Sequence, residues 1–354
     1  MGERLLEVDG LKTFFHTHEG IVRAVDDVSF HIDRGETLGV VGESGCGKSI
    51  TALSIMQLVP KPRGRIEGGA IRYHGGEEPV DLTTLDPKGA QMRSIRGNEL
   101  AMIFQEPMTS LNPVYSVGEQ IMEAVRLHQM ADEKQARERA IEMLSRVNIG
   151  RPAETVDAYP HQLSGGMRQR IMIAMALSCD PTLLIADEPT TALDVTIEAQ
   201  ILEIIEDLQE QFGMSVMFIT HDLDVIGEIA ERVMVMYTGS VVETATSEQL
   251  FYNPAHPYTQ ALLKSIPKIG RHEKLEPISG TVPNLLNLPQ GCYFAPRCPF
   301  AMDICRRKAP PHFEVEEGHF AKCWLHGEEA DAAAPVGASA GAGGDAAAEE
   351  TSDE

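Results

Sequence analysis

Gly42-Glu43-Ser44-Gly45-Cys46-Gly47-Lys48-Ser49 follows the apolar run Leu38-Gly39-Val40-Val41 and precedes a helical segment, and these eight residues with Ile50 are the expected nucleotide-binding stretch. The octapeptide fits G-x-x-x-x-G-K-S/T in the strand, loop and helix context that the pattern requires; a glycine turn without that context would carry little. Glycines let backbone N–H groups converge on phosphate oxygens, and the helix N-terminus adds the positive end of its dipole. Lys48 is expected to reach the terminal phosphates of a nucleotide, and Ser49 to offer its hydroxyl to Mg²⁺. A strand feeding such a loop belongs in an α/β domain with a parallel sheet.

Working outward, Leu183-Leu184-Ile185-Ala186-Asp187-Glu188 reads as a second apolar strand ending in two carboxylates. Asp187 can hold the Mg²⁺ shell, and Glu188 is expected to point elsewhere because strand side chains alternate. Strand-like 182–186 and 215–220 alternate with a helix around 197–211, the order that builds a parallel sheet. Residues 5–41 read as strands, and 233–237 as a strand entering a turn at Thr238-Gly239. From about 88 to 165 the pattern is helical, including the amphipathic stretch Asp132 to Val147, which predicts a helical insert.

Four further stretches fall in order around these two: Phe104-Gln105-Glu106-Pro107, Leu163-Ser164-Gly165-Gly166-Met167-Arg168-Gln169, Thr191-Ala192-Leu193-Asp194 and Thr220-His221-Asp222. A lone Gln, Asp or His is more often an ordinary polar residue, but this order and spacing after a phosphate loop make one set. The set resembles the ATP-binding cassette superfamily, in which these stretches are the Q-loop, the signature, the D-loop and the switch histidine.

The resemblance spans roughly residues 4 to 326. It implies a cassette-type nucleotide-binding fold: a parallel core sheet, an N-terminal antiparallel β subdomain and a helical insert. It further implies that Glu188 is the general base orienting the attacking water, that Gln105 touches Mg²⁺ and water, and that His221 contacts the γ-phosphate. Ser164, Gly165, Gly166 and Gln169 would act on ATP held by a partner subunit, and Asp194 would bond across the pair. Phe15, or else Phe14, sits where the family stacks adenine. Each motif occurs once, so the chain carries one cassette and two sites need two chains.

Asn253-Pro254-Ala255-His256-Pro257-Tyr258-Thr259-Gln260-Ala261-Leu262-Leu263 resembles the tail of ATPase subunits from oligopeptide and dipeptide importers. The residues themselves need only a structural reading: prolines end a strand, Tyr258, Leu262 and Leu263 form an apolar helix face, and His256 is a structural histidine. Cys292, Cys298, Cys305 and Cys323 follow with spacing C-x₅-C-x₆-C-x₁₇-C. In this importer subfamily the tail is associated with a 4Fe–4S cluster, which four cysteines suit. Zinc, whose structural sites more often show tight C-x₂-C pairs, and unliganded thiols stand as alternatives. Cys46 and Cys179 read as small packed residues.

The 354 residues divide into a cassette at 4–252, a C-terminal region at 253–327 and an Ala-, Gly- and Glu-rich tail at 328–354 that is expected to be disordered. The formal net charge of −23 argues against a nucleic acid partner, since neutralising phosphates takes clustered Lys and Arg. No run approaches the roughly 20 apolar residues that cross a bilayer, and Met1-Gly2-Glu3-Arg4 lacks the blocks of a signal peptide.

The expectation is a peripheral ATPase on the cytoplasmic face of the cell membrane that powers peptide import. By the same resemblance its partners are a second cassette subunit, with a heterodimer favoured over a homodimer, two transmembrane permease subunits and an extracytoplasmic solute-binding protein. Nickel or another small solute is the alternative cargo. A non-transport cassette ATPase is a weaker alternative, because the long coiled-coil inserts, tandem cassettes and basic surfaces of such proteins are missing.

Overall fold

A computed structural model describes residues 2–105, 111–191, 194–265 and 278–327. Glu106 and Pro107 of the expected Q-loop, Ala192 and Leu193 of the D-loop, and the tail expected to be disordered lie outside the described residues.

The chain begins with two long antiparallel strands, β1 (Arg4–Thr17) and β2 (Gly20–Asp33). They form a four-stranded sheet with β4 (Gly64–Tyr73) and β5 (Val80–Asp81), in the order β2-β1-β4-β5. Between them β3 (Thr37–Val41) enters the second sheet and is followed by α1 (Lys48–Ile55).

The core sheet takes β3, β6 (Leu100–Ile103), β7 (Leu183–Asp187), β8 (Ser215–Ile219) and β9 (Arg232–Tyr237), all parallel. β10 (Ser240–Thr246) then turns back antiparallel to β9. Every residue of β3, β7 and β8 is buried, as expected of parallel strands covered on both faces.

The two-residue period of these strands divides their side chains between two cores. Leu183, Ile185, Met217 and Ile219 face the antiparallel sheet, with Leu6, Val8 and Ile71. Leu184, Ala186, Val216 and Phe218 face the helices on the other side. Those helices are α3 (Val117–Gln129), α4 (Glu133–Arg146), the single turn α5 (Pro152–Thr155), α6 (Gly165–Ala176), α7 (Val195–Phe212) and α8 (Leu223–Ile229), whereas α2 (Ala90–Ile95) packs Met92 and Ile95 into the core under the antiparallel sheet. Strand β6 lies inside the stretch, about 88 to 165, whose sequence pattern is helical. Its four apolar residues are too few for periodicity to separate strand from buried helix, and only pairing with β7 decides the matter.

Helices α3 and α4 pack against each other and against α6, and each starts with a capping box. Ser116 Oγ accepts from Glu119 N at 3.2 Å, Asp132 Oδ1 accepts from Gln135 N at 2.8 Å, and the Glu119 and Gln135 side chains return a bond to each cap.

After α9 (Ser247–Tyr252), the C-terminal region comprises α10 (Pro257–Lys264), α11 (Asp303–Arg307), β11 (Phe313–Glu316) and β12 (His319–Ala321). It continues the cassette sheet: β12 pairs with β10 at Glu243↔Ala321, giving the order β11-β12-β10-β9-β3-β8-β7-β6. Strands this short carry no readable alternation, so the sequence did not announce them.

Candidate active site

The parallel strands β3, β6, β7 and β8 end on one edge, where open α/β sheets bind their ligands. Each contributes a loop. After β3 the chain makes the phosphate loop, and the geometry there explains two of its glycines. Gly42 has φ +151° and Gly47 φ +105°, and a Cβ would lie 2.2 Å from the Met236 carbonyl oxygen at the first and 2.3 Å from the Ala24 carbonyl oxygen at the second. No side chain fits either position. Gly47 caps α1, so the N–H groups of Lys48 and Ser49 open toward the loop.

Lys48 is buried, and its Nζ donates to the Gly42 carbonyl at 2.7 Å and the Glu43 carbonyl at 3.4 Å. Ser49 Oγ donates to Asp187 Oδ1 at 3.0 Å, joining the loop to the end of β7. Burial raises the Asp187 carboxyl above its ordinary value; the Ser49 bond and the Lys48 charge pull against that, and Glu188 reinforces it. Ser44 and Gly45 are exposed at the loop tip, Cys46 packs beneath it, and Ile50 packs from α1 into the core under the antiparallel sheet.

Glu188 lies just beyond β7 with φ +48°, so its direction comes from a left-handed backbone kink rather than from strand alternation. Its backbone N–H still bonds to the Ile219 carbonyl at 2.8 Å. The carboxylate receives the Gln105 amide at 2.9 Å, following β6, and the Thr191 hydroxyl at 2.9 Å. His221 Nδ1, following β8, is 3.5 Å from its other oxygen. Gln105 and His221 are exposed while Glu188 is mostly covered, so the polar group opens outward. Four loops therefore converge on two adjacent carboxylates.

The signature is positioned separately. Ser164 is the N-cap of α6, accepting from Met167 N at 3.3 Å, and Asp194 is the N-cap of α7, accepting from Ile197 N at 3.0 Å. Ser164, Gly165, Gly166 and Asp194 line one open surface depression of about 670 Å³. Among the described residues no hydrogen bond links Ser164 or Asp194 to Lys48, Asp187 or Glu188. Gln169 is placed differently from its neighbours in the motif. It is 1% exposed, and its amide donates to the Pro189 carbonyl, tying α6 to the residue after Glu188. Phe15 stays on the antiparallel sheet, half-buried in β1 opposite Val22 and Gly64.

Two residues of the site escaped the sequence reading. Tyr258 from α10 is fully buried, and its hydroxyl accepts from Glu43 N at 2.9 Å. Arg297 forms a two-pronged ion pair with Glu43, at 2.7 and 3.1 Å. Their distance along the chain leaves no local signal. Thr191 stood inside a recognised motif, but its bond to Glu188 needed the fold.

Around the four-cysteine stretch, Cys305 and Cys323 pack with Trp324, and Cys292 N donates to the Cys305 carbonyl at 2.7 Å. Burial pushes the Cys292 thiol up to about 11 and Cys323 up to about 12, and the neighbouring cysteines add to both shifts. The thiols thus share one region, yet among the described residues no group of three or more His, Cys, Asp or Glu is arranged to hold a metal ion.

Known proteins carry the same combination. The ABC transporter family profile matches residues 25–191, and that of the oligopeptide/dipeptide transporter C-terminal region matches residues 242–305. The oligopeptide transport ATP-binding protein AppD of Bacillus subtilis is 54% identical over 92% of this chain and 98% of its own length. From the same organism, the oligopeptide transport protein OppD is 50% identical over 91% of this chain and 89% of its own length, and the dipeptide transport protein DppD is 48% identical over 93% and 97%.

Among solved structures, the dimeric post-hydrolysis state of the cassette MJ0796 bound to ADP and Pi superposes with a TM-score of 0.61. It is 26% identical and covers 69% of this chain and 99% of that one. With this fold, this convergence of motifs and relatives aligned over nearly the whole length, the chain belongs to the ABC transporter family, among its peptide-transport ATP-binding subunits.

Proposed function

We propose that this chain hydrolyses ATP at the Asp187–Glu188 edge and that closure of two such cassettes drives peptide import. The observation that carries the chemistry is the Glu188 carboxylate, held at once by Gln105 and Thr191, beside His221, and one residue from the Asp187–Ser49 pair. In this reading Glu188 is the general base for water, with Gln105 and His221 fixing its direction. Lys48 and the loop N–H groups bind the phosphates. Ser49, Asp187 and Gln105 hold the Mg²⁺ that arrives with ATP, and that ion supplies charge neutralisation at the terminal phosphates.

Ser164, Gly165 and Gly166 line an open depression with Asp194 that takes in neither Lys48 nor Glu188, which supports a second cassette whose ATP they cover. A different cassette subunit is the favoured partner, with two membrane permeases and an extracytoplasmic solute-binding protein completing the system on the cytoplasmic face of the membrane. No helix among the described residues is long and apolar enough to cross a membrane, so the membrane path falls to the permeases. The peptide cargo is supported by the relatives named for oligopeptide and dipeptide transport and by the matched C-terminal region.

A 4Fe–4S cluster on Cys292, Cys298, Cys305 and Cys323, with zinc as the alternative, is the finer part of the proposal. It is supported by the gathering of four cysteines, while the thiols are not arranged as a metal site among the described residues.

The test is reconstitution. The tagged chain is purified from its own solubilised membranes, its retained partners are identified by mass, and ATP-dependent peptide uptake is measured in vesicles. Co-purification of permeases with uptake lost on Glu188→Gln supports the proposal. Recovery of soluble partners only, or uptake that persists in E188Q, overturns it.

A further inference from the structure

We infer that Arg297, contributed by the C-terminal region, is a positioning residue for the phosphate loop: it cancels the charge of Glu43 inside that loop and, with Tyr258, fixes how the loop presents itself to a polyphosphate. The inference rests on the proposed seat of the triphosphate at 42–49 and is independent of the cargo.

Glu43 is the second residue of a loop that gathers N–H donors for a polyanion. An unpaired carboxylate there opposes binding by direct Coulomb repulsion, which weakens only slowly with distance where protein screens poorly. Arg297 meets it with both guanidinium prongs. Glu43 is partly open to solvent while the Arg297 side chain is 3% exposed, so the positive charge is brought from within the protein to the loop.

The guanidinium has no freedom to leave. Nε donates to the Ser279 carbonyl at 3.1 Å, Nη2 to the Ile278 carbonyl at 3.3 Å, and Nη1 reaches the Tyr237 hydroxyl at 3.4 Å. The rings of Tyr237 and Phe294 flank it, with centroids at 5.8 and 6.0 Å. The Glu43 pairing holds the guanidinium pKa above its ordinary value, so the charge is permanent.

Tyr258 acts on the same residue from its other side. Its hydroxyl takes the Glu43 backbone N–H, which removes that donor from the phosphate-facing set and sets the peptide plane. The C-terminal region therefore holds both the side chain and the backbone of one loop residue, 254 positions from Arg297 and 215 from Tyr258. Where β12 joins the region to the cassette sheet, these contacts join it to the phosphate loop.

The experiment uses the purified full chain, with ATP turnover and equilibrium binding of ATP measured at low and high salt. Arg297→Gln is expected to raise KM for ATP about tenfold, equivalent to about 1.4 kcal/mol, with kcat changed by less than about threefold. Added salt should narrow the gap to the unmodified chain, because screening relieves repulsion. Glu43→Gln combined with R297Q should recover most of the lost affinity, since no uncompensated charge then remains.

A merely structural role would give neither the salt response nor the recovery. Unchanged KM in folded R297Q, or a double variant as weak as the single, overturns the inference. Should R297Q fail to fold, R297K keeps the charge without the fork and is expected to bind within about threefold of the unmodified chain; a tenfold loss there overturns the charge argument. Lys48→Ala separates the two levels. If K48A binds ATP normally, the seat of the triphosphate is wrong; if K48A loses ATP while R297Q does not, only the inference fails.

Discussion

Acidification from about pH 7 to about pH 5 should weaken the attachment of the C-terminal region through one residue, His256. Its ring is 1% exposed, and its Nδ1 caps α10 by accepting from Tyr258 N at 3.0 Å. Burial holds its pKa down to about 4 from an ordinary 6.5, against the pull of Glu243. Since the folded value lies below the unfolded one, the unfolded chain takes up the proton first as pH falls. Stability is whole above the unfolded value and declines until both forms are protonated near the folded one.

The gap from 6.5 to about 4 corresponds to about 3 kcal/mol, of which about 2 kcal/mol falls between pH 7 and pH 5. Glu243, which accepts from Ala255 N, His256 N and His319 Nε2, acts in another window. Burial would raise it, but hydrogen bonds from His319, Thr259 and the two backbone N–H groups hold it below the ordinary carboxylate value. Its contribution is present above that ordinary value and is lost only at lower pH, as the folded form protonates. His326, whose Nε2 lies 3.0 Å from the Ala255 carbonyl, adds to the lowering at His256 by charge repulsion.

Trp324, the single tryptophan, is buried in the C-terminal region and bonded to the Lys308 carbonyl at 2.9 Å, so its fluorescence reports on that region. Urea titrations at the two pH values would compare the unmodified chain with His256→Asn, which keeps a capping acceptor and does not titrate. The unmodified chain should lose about 2 kcal/mol more than H256N over this interval. Equal losses in both would refute the reasoning, because the pH response would then lie elsewhere.

Glu188→Gln should lower kcat by about 10²- to 10⁴-fold while ATP binding is retained, checked by single-turnover phosphate release beside a binding titration. Near-normal turnover would remove Glu188 from the base role. Gly47→Ala forces a side chain onto φ +105° against the Ala24 carbonyl, a backbone cost of about 1–3 kcal/mol before the clash is counted. A folded G47A should bind ATP at least about tenfold more weakly in the same titration. Anaerobic purification with iron, sulfide and zinc analysis decides the four-cysteine proposal: absorbance near about 400 nm with about four irons per chain supports the cluster, stoichiometric zinc the alternative, and neither leaves packed thiols.

The cassette was legible because its chemistry is local. A phosphate loop must be a glycine turn between a buried strand and a helix, so 38–50 declares itself in sequence, as do Asp187-Glu188 at a strand end and Ser164 before an apolar helix. The same locality gave the start of α4, since the capping box Asp132–Gln135 closes within one turn.

Where a feature depends on a distant neighbour, the sequence was silent or misleading. The apolar run 100–103 was read within a helical stretch because only pairing with β7 makes it a strand. Glu188 was expected to turn aside by strand alternation, but the strand ends at Asp187 and a positive φ redirects it. Gln169 belongs to an outward-facing motif by sequence, yet the helical phase of α6 turns it inward to Pro189.

By itself, then, the sequence determined the fold class and the nucleotide chemistry, and pointed to the side chains proposed to carry it. It could do so because those depend on residue types within a few positions of one another. The tertiary structure alone decided how four loops meet around Glu188, how β12 extends the cassette sheet, and how Arg297 and Tyr258 reach Glu43. These are contacts between segments up to 254 residues apart. Their geometry is set by the packing of the whole sheet, and no short window of sequence encodes it.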